Sequence, residues 1–220
     1  MIFRDRSDAG ERLATALAAW RGQCPLVLAI PRGAVPMGAL LADRLDGDLD
    51  VVLTRKLGAP GNAEFAIGAV DETGWRYVAP YAASAGATSE YIDREAAAQL
   101  ETMRRRRAQY TPARPPIDPK GRIAIVVDDG LATGATMISA LHAVRSKGPQ
   151  RLICAVPVAS QDALENVRPY ADEVVCLDAS QDFFAISQCY LSFPQVSDAE
   201  VVAILRASAR RDEACARKPA

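Results

Sequence analysis

What the sequence lacks narrows it first. It has a single histidine, His142, and five cysteines with no Cys-x-x-Cys pair among them, so neither a zinc site nor a disulfide framework is supported. Cys24, Cys154, Cys176, Cys189 and Cys215 read as reduced, buried thiols, and His142 as a helix residue with a packing or surface role. Charge of one sign is also missing: the formal net charge is −1, so no basic field draws the chain to nucleic acid or anionic lipid. Any anion it binds must be held by local groups. No apolar run approaches the ~20 residues that span a bilayer, and the opening MIFRDRSDAGERL carries charge where a signal peptide is apolar. These absences predict a soluble, cytoplasmic protein without a membrane partner. A length of 220 residues suits one α/β domain over 1–220.

What is present alternates. DAGERLATALAAW (8–20) spaces Leu13, Leu17 and Trp20 as one face of a helix behind an Asp8 cap. PLVLAI (25–30) is an all-apolar run that stops at PRG, the pattern of a strand buried on both faces, and AVPMGALLADRL returns as a helix. DVVLTRK (50–56) is a second such strand, followed by LGAPGNAEF, too rich in Gly, Pro and Asn for regular structure. FAIGAVDETG and WRYVA form a hairpin through Thr73-Gly74. Residues 88–110 make a long helix capped by Ser89, and TPARPPIDPKG a surface connection. The second half repeats the alternation: RIAIVVDD, GLATGAT, MISALHAVRSKG, RLICAVPVAS, QDALENVRPYA and DEVVCLDA. Strand and helix joined by short links predict a parallel sheet flanked by helices, with the site outside the strands' carboxyl ends. The aromatic segment DFFAISQCYLSFPQVSDAEV breaks the alternation and packs over those ends as a small hood (about 181–200) on a core of about 25–180. The run Arg104–Arg107 points all around its helix and makes no single binding face.

The most informative stretch is IAIVVDDGLATGATM (123–137). Gly130, Thr133, Gly134 and Thr136 sit where a strand gives way to a helix, so backbone N–H groups and two hydroxyls can converge on an anion. A Walker loop would need a lysine that GLATGAT lacks, and G-x-G-x-x-G is absent. Two carboxylates beside a phosphate cradle, Asp128 and Asp129, are costly unless they accept hydrogen bonds from hydroxyls or ligate a cation. A sugar phosphate with vicinal hydroxyls meets both conditions.

VVDDGLATGATM resembles the phosphoribosyl-diphosphate-binding motif of type I phosphoribosyltransferases. The resemblance implies the fold of that family, a parallel sheet flanked by helices with a small hood. It also implies that Asp128 and Asp129 contact the ribose hydroxyls or Mg²⁺, and that Gly130, Leu131, Ala132, Thr133, Gly134, Ala135 and Thr136 hold the 5-phosphate. The family's diphosphate loop, often built on a strained non-proline peptide, is similar to IPRGAVPMG, which puts Arg32 and Gly33 there. The family's flexible lid is similar to TRKLGAPGNAEF, with Arg55 and Lys56 as ligands of the diphosphate. As a whole the chain resembles a bacterial group of such proteins with no assigned acceptor.

The implied reaction moves the 5-phosphoribosyl group from phosphoribosyl diphosphate to a nitrogenous base or other amine, with Mg²⁺ and release of diphosphate. Members acting on 6-oxopurines carry an acid immediately before Thr-Gly, where this chain has Ala132, and alanine transfers no proton. LATGAT is closer to adenine- and uracil-type members. Glu64 on the lid is the candidate acid, a solvated loop carboxylate being the alternative. Phe183, Phe184 and Tyr190 of the hood are candidates to stack on a flat base, or else simply pack on the sheet. The resemblance further implies a homodimer. The competing function is a non-catalytic sensor of phosphoribosyl diphosphate that binds nucleic acid, as some relatives do. A net charge of −1 speaks against it.

Overall fold

The computed structural model describes residues 1–180 and 185–216. In chain order the elements are α1 (Arg6–Ala16), β1 (Leu26–Ala29), α2 (Val35–Leu45), β2 (Asp48–Val51), β3 (Thr54–Ala59), β4 (Asn62–Asp71), β5 (Arg76–Val78), α3 (Ser89–Tyr110), β6 (Ile123–Val127), α4 (Ala135–Arg145), β7 (Arg151–Ser160), α5 (Gln161–Val167), β8 (Glu173–Ser180) and α6 (Asp198–Ala216). Five strands form a parallel sheet in the order β2-β1-β6-β7-β8, and β3-β4-β5 form a second, antiparallel sheet. The expected parallel sheet flanked by helices is therefore present.

Alternation along the central strands feeds two cores. Val27, Ala29, Ile125, Val127, Ile153 and Ala155 face one cluster, which takes in Leu13 and Leu17 at the start of the chain and Leu41 of α2. Leu26, Leu28, Ala124, Val126, Leu152 and Cys154 face the other, with Ile138 and Leu141 of α4 and Leu164 of α5. A strand buried on both faces can use apolar residues at every position, which is why these runs do not alternate with polar ones. Ile125 is fully buried, and truncating such a side chain to Ala costs about 2–5 kcal/mol.

The structure corrects five local expectations. The apolar run at 50–56 is not one strand: β2 ends at Val51 in the parallel sheet, and β3 starts at Thr54 in the other. The stretch expected to be an irregular loop is the β3–β4 hairpin, turning at Pro60-Gly61 with Gly61 at φ 76°. Its register shifts at Gly58, where an added Cβ would sit 2.7 Å from Ala63 Cα. A glycine inside a strand commonly marks such a bulge or close approach. Asp5, not Asp8, caps α1, accepting the Asp8 N–H at 2.9 Å, and Thr88, not Ser89, caps α3, accepting the Tyr91 N–H at 3.2 Å. The hairpin expected at Thr73-Gly74 is formed by β4 and β5. Cys24 is exposed rather than buried, and no disulfide forms among the described residues.

Candidate functional site

The chain leaving β1 forms a loop whose Pro31–Arg32 peptide is cis, in the segment matched above to a diphosphate loop. The chain leaving β6 carries Asp128 and Asp129 into the turn that opens α4. Between these loops and the β3–β4 hairpin lies a cavity of about 490 Å³. Its walls include Pro31 and Gly33, Arg55, Lys56 and Glu64, and Asp128 through Gly134 with Thr136. Helix α3 adds Glu95 and Gln99, and Ile186 closes the hood side. The parallel strands thus end at the cavity, as open α/β sheets place their sites.

The turn is held from below. Leu131 N–H donates to Val158 C=O at 2.9 Å, Ser160 N–H to Leu131 C=O at 3.0 Å, and Ser160 Oγ to Ala132 C=O at 2.9 Å. Gly134, at φ 78°, is the N-cap of α4, a backbone conformation that favours glycine. Among the described residues no hydrogen bond uses the N–H groups of Ala132, Thr133, Gly134 or Thr136. Free donors at a helix N-terminus are suited to an anion.

The two acids differ sharply. Asp128 is half-buried on the cavity floor and accepts the Asp129 N–H at 2.9 Å. Burial, and then the Asp129 charge, push its carboxyl well above the usual range, with Lys56 pulling the other way. Asp129 is buried against Arg6, whose Nε and Nη2 both donate to its Oδ2, at 3.0 and 2.9 Å. Burial raises its carboxyl too, opposed chiefly by Arg6. On Gly33 a Cβ would clash with Asp129 Oδ2 and lie 3.2 Å from Arg6 Nη2, so the glycine lets this pair abut the β1 loop.

The remaining expected residues divide. Arg55 lines the cavity and donates to Gln99 Oε1 at 2.8 Å, while Gln99 Nε2 donates to Glu95 at 2.9 Å. Burial, followed by the nearby charges of Arg106 and Arg32, lowers the Arg55 pKa. Arg32 itself turns away from the cavity to Asp198, with Nη1 3.4 Å from Oδ2. Asp198 also pairs with Arg106 at 3.3 Å and accepts from Tyr110 Oη. Tyr190, a candidate to stack on a base, is only 6% exposed and does not line the cavity. Its hydroxyl donates to Asp129 C=O at 2.7 Å, and its ring packs beside Phe3 and Phe193. Phe183 and Phe184 lie outside the described residues. Ala132 lines the wall where a carboxylate would stand in the 6-oxopurine pattern. Sequence reading missed Arg6, Glu95, Gln99 and Ile186. For Glu95 and Gln99 the i,i+4 spacing on one helix face was the available signal.

A family model described as the phosphoribosyl transferase domain matches residues 5–193. The chain belongs to the phosphoribosyl transferase family. Two curated Mycobacterium tuberculosis proteins, named only provisionally as phosphoribosyl transferases and without a substrate, are each 41% identical over 208 residues. The match takes 93% of this chain and 46% of theirs, so the chain spans about half their length. A Thermus thermophilus protein of known crystal structure is 49% identical, with a TM-score of 0.80 over 94% of this chain and 99% of that one. Among the described residues no helix of this family member is long and apolar enough to cross a membrane.

Proposed function

We propose that the chain transfers the 5-phosphoribosyl group from phosphoribosyl diphosphate to a nitrogenous base or other amine. The carrying observation is the convergence on one cavity of a partly buried carboxylate, Asp128, the open N–H groups of the α4 turn, and the cations Arg55 and Lys56. A 5-phosphate suits the turn, a ribose diol suits Asp128, and Arg55 and Lys56 suit the charge that grows on departing diphosphate. A bond forms between the acceptor nitrogen and ribose C1 as the bond from C1 to diphosphate oxygen breaks. The nitrogen's proton then passes to a carboxylate, for which Glu64 and Glu95 line the same cavity.

Magnesium fits this donor set in one way only. No group of three or more His, Cys, Asp or Glu able to hold a metal occurs among the described residues, so a self-sufficient protein cage is not built. Mg²⁺ commonly uses one or two carboxylates together with substrate phosphates, and Asp128, whose charge is under-compensated by its surroundings, suits that role. When bound there with the donor, the ion would neutralise diphosphate charge. Asp129, committed to Arg6, suits it less.

Diphosphate release from phosphoribosyl diphosphate and Mg²⁺, measured across purines, pyrimidines and small amines, tests the reading. Release with at least one acceptor is expected. Binding of the donor with no release for any acceptor would replace the transferase with a sensor.

A further inference from the structure

The Arg6–Asp129 pair joins parts of the chain that the motif alone does not connect. Arg6 begins α1, and its side chain is 10% exposed. Two of its N–H groups grip one oxygen of Asp129, Nη1 donates to Pro194 C=O at 2.7 Å, and Cζ lies 3.7 Å over the Phe193 ring. Tyr190 holds the Asp129 carbonyl from the same hood segment, and Gly33 of the β1 loop abuts the carboxylate. One guanidinium therefore ties together α1, the acid pair, the β1 loop and residues 190–194. A planar fork with five donors can satisfy these partners at once; a lysine ammonium cannot reproduce that geometry.

We propose that Arg6 is a positioning residue: it commits Asp129 to holding the loops in register and leaves Asp128 as the one carboxylate that meets the donor sugar. This rests on the donor reading above. It divides between the two acids a task that the motif by itself assigns to both. Without Arg6, Asp129 becomes a second uncompensated negative charge beside Asp128, facing a donor that is itself an anion. The loop it braces also loses its tie to the hood. With Arg6 and Asp129 both made neutral, the repulsion is gone and Asp128 is untouched.

The test is calorimetric titration of the full chain with phosphoribosyl diphosphate and Mg²⁺, with melting temperatures recorded for every variant. Arg6→Gln is expected to weaken donor binding on the order of tenfold or more, and the double variant Arg6→Gln/Asp129→Asn to return it to within about threefold of wild type. Arg6→Lys, which keeps the charge without the fork, should fall between Arg6→Gln and wild type. Asp128→Asn should abolish binding in either background. A purely stabilising pair would instead lower the melting temperature of Arg6→Gln and leave donor affinity unchanged in the folded fraction, and that result overturns the proposal. So does a double variant that binds no better than Arg6→Gln. Should Arg6→Gln fail to fold, the double variant and Arg6→Lys decide: loss of donor binding by a folded double variant refutes the division of labour. Failure of wild type to bind the donor is a separate outcome, which removes the donor reading and this inference with it.

Discussion

Asp128→Asn should make the free protein more stable and the donor-bound protein less so. Two unit charges about 5–6 Å apart at an effective dielectric near 20, an order-of-magnitude guide for acids on adjacent residues, repel by about 3 kcal/mol. Arg6 neutralises much of the Asp129 charge, Lys56 offsets part of the remainder, and Asp128 is only half-buried. A net gain of about 1–2 kcal/mol therefore remains for the neutral amide, which at this chain length raises the melting temperature by about 2–8 °C. Because the folded protein raises the Asp128 pKa, its protonated form contributes stability at low pH that is lost as pH climbs through and above the ordinary carboxylate range. The gap between variant and wild type should therefore close below about pH 4 and widen as pH rises from there. Donor with Mg²⁺ at a hundred times its dissociation constant stabilises wild type by about 2.7 kcal/mol, and the variant should gain nothing. Thermal melts with and without donor, at pH 7 and pH 4, read all of this in one assay. A variant less stable than wild type in the free state at pH 7, or one that still shifts with donor, refutes the reasoning.

Gly33→Ala places a methyl group against Asp129 Oδ2; a loss of about 2–3 kcal/mol in stability and of donor binding by calorimetry is expected. Lys56→Ala should weaken donor binding on the order of tenfold, whereas Arg32→Ala, whose guanidinium faces Asp198 rather than the cavity, should change it by less than about threefold. Once an acceptor is found, either Glu64→Gln or Glu95→Gln should lower turnover by about a hundredfold or more with donor affinity held; unchanged turnover in both would send the acceptor's proton elsewhere.

The central sheet was legible because its inner strands β1 and β6 are short, wholly apolar runs and helix-length amphipathic segments alternate with the strands, a pattern that few other folds tolerate. The hairpin was not. Gly58, Pro60, Gly61 and Asn62 are turn residues by every local rule, yet only two of them form the turn, and Gly58 lies inside a strand because Ala63 leaves no room for a side chain. Nor could the apolar run through Val51, Val52 and Leu53 say that the chain changes sheets there, since local hydrophobicity carries no information about the partner strand. The Arg104–Arg107 run does spread around its helix, as four consecutive residues must. Arg104 faces solvent beside Glu101, while Arg106 and Arg107 turn inward to Asp198 and to Glu72. Their carboxylate partners lie 92 positions later and 35 positions earlier, beyond the reach of any sequence window.

The site divides along the same line. The cavity wall contributed by one continuous stretch, Asp128 through Gly134 with Thr136, was visible in residue types and spacing, because a strand-to-helix turn suited to an anion uses small residues and hydroxyls. The partner that distinguishes the two aspartates could not, since Arg6 reaches Asp129 across 123 positions. Without it the pair looks symmetrical. With it, one carboxylate is neutralised and braced and the other is left partly solvated in the cavity, so identical side chains one residue apart carry different charge environments. The same argument applies to the wall left bare by Ala132. Helix α3 brings Glu95 and Gln99 to the cavity from a segment whose sequence reads as an ordinary solvated helix. A hydrogen-bonded chain runs from Glu95 through Gln99 to Arg55 along the cavity wall, so on the proposed reaction a carboxylate standing in for the one absent at Ala132 comes from outside the motif.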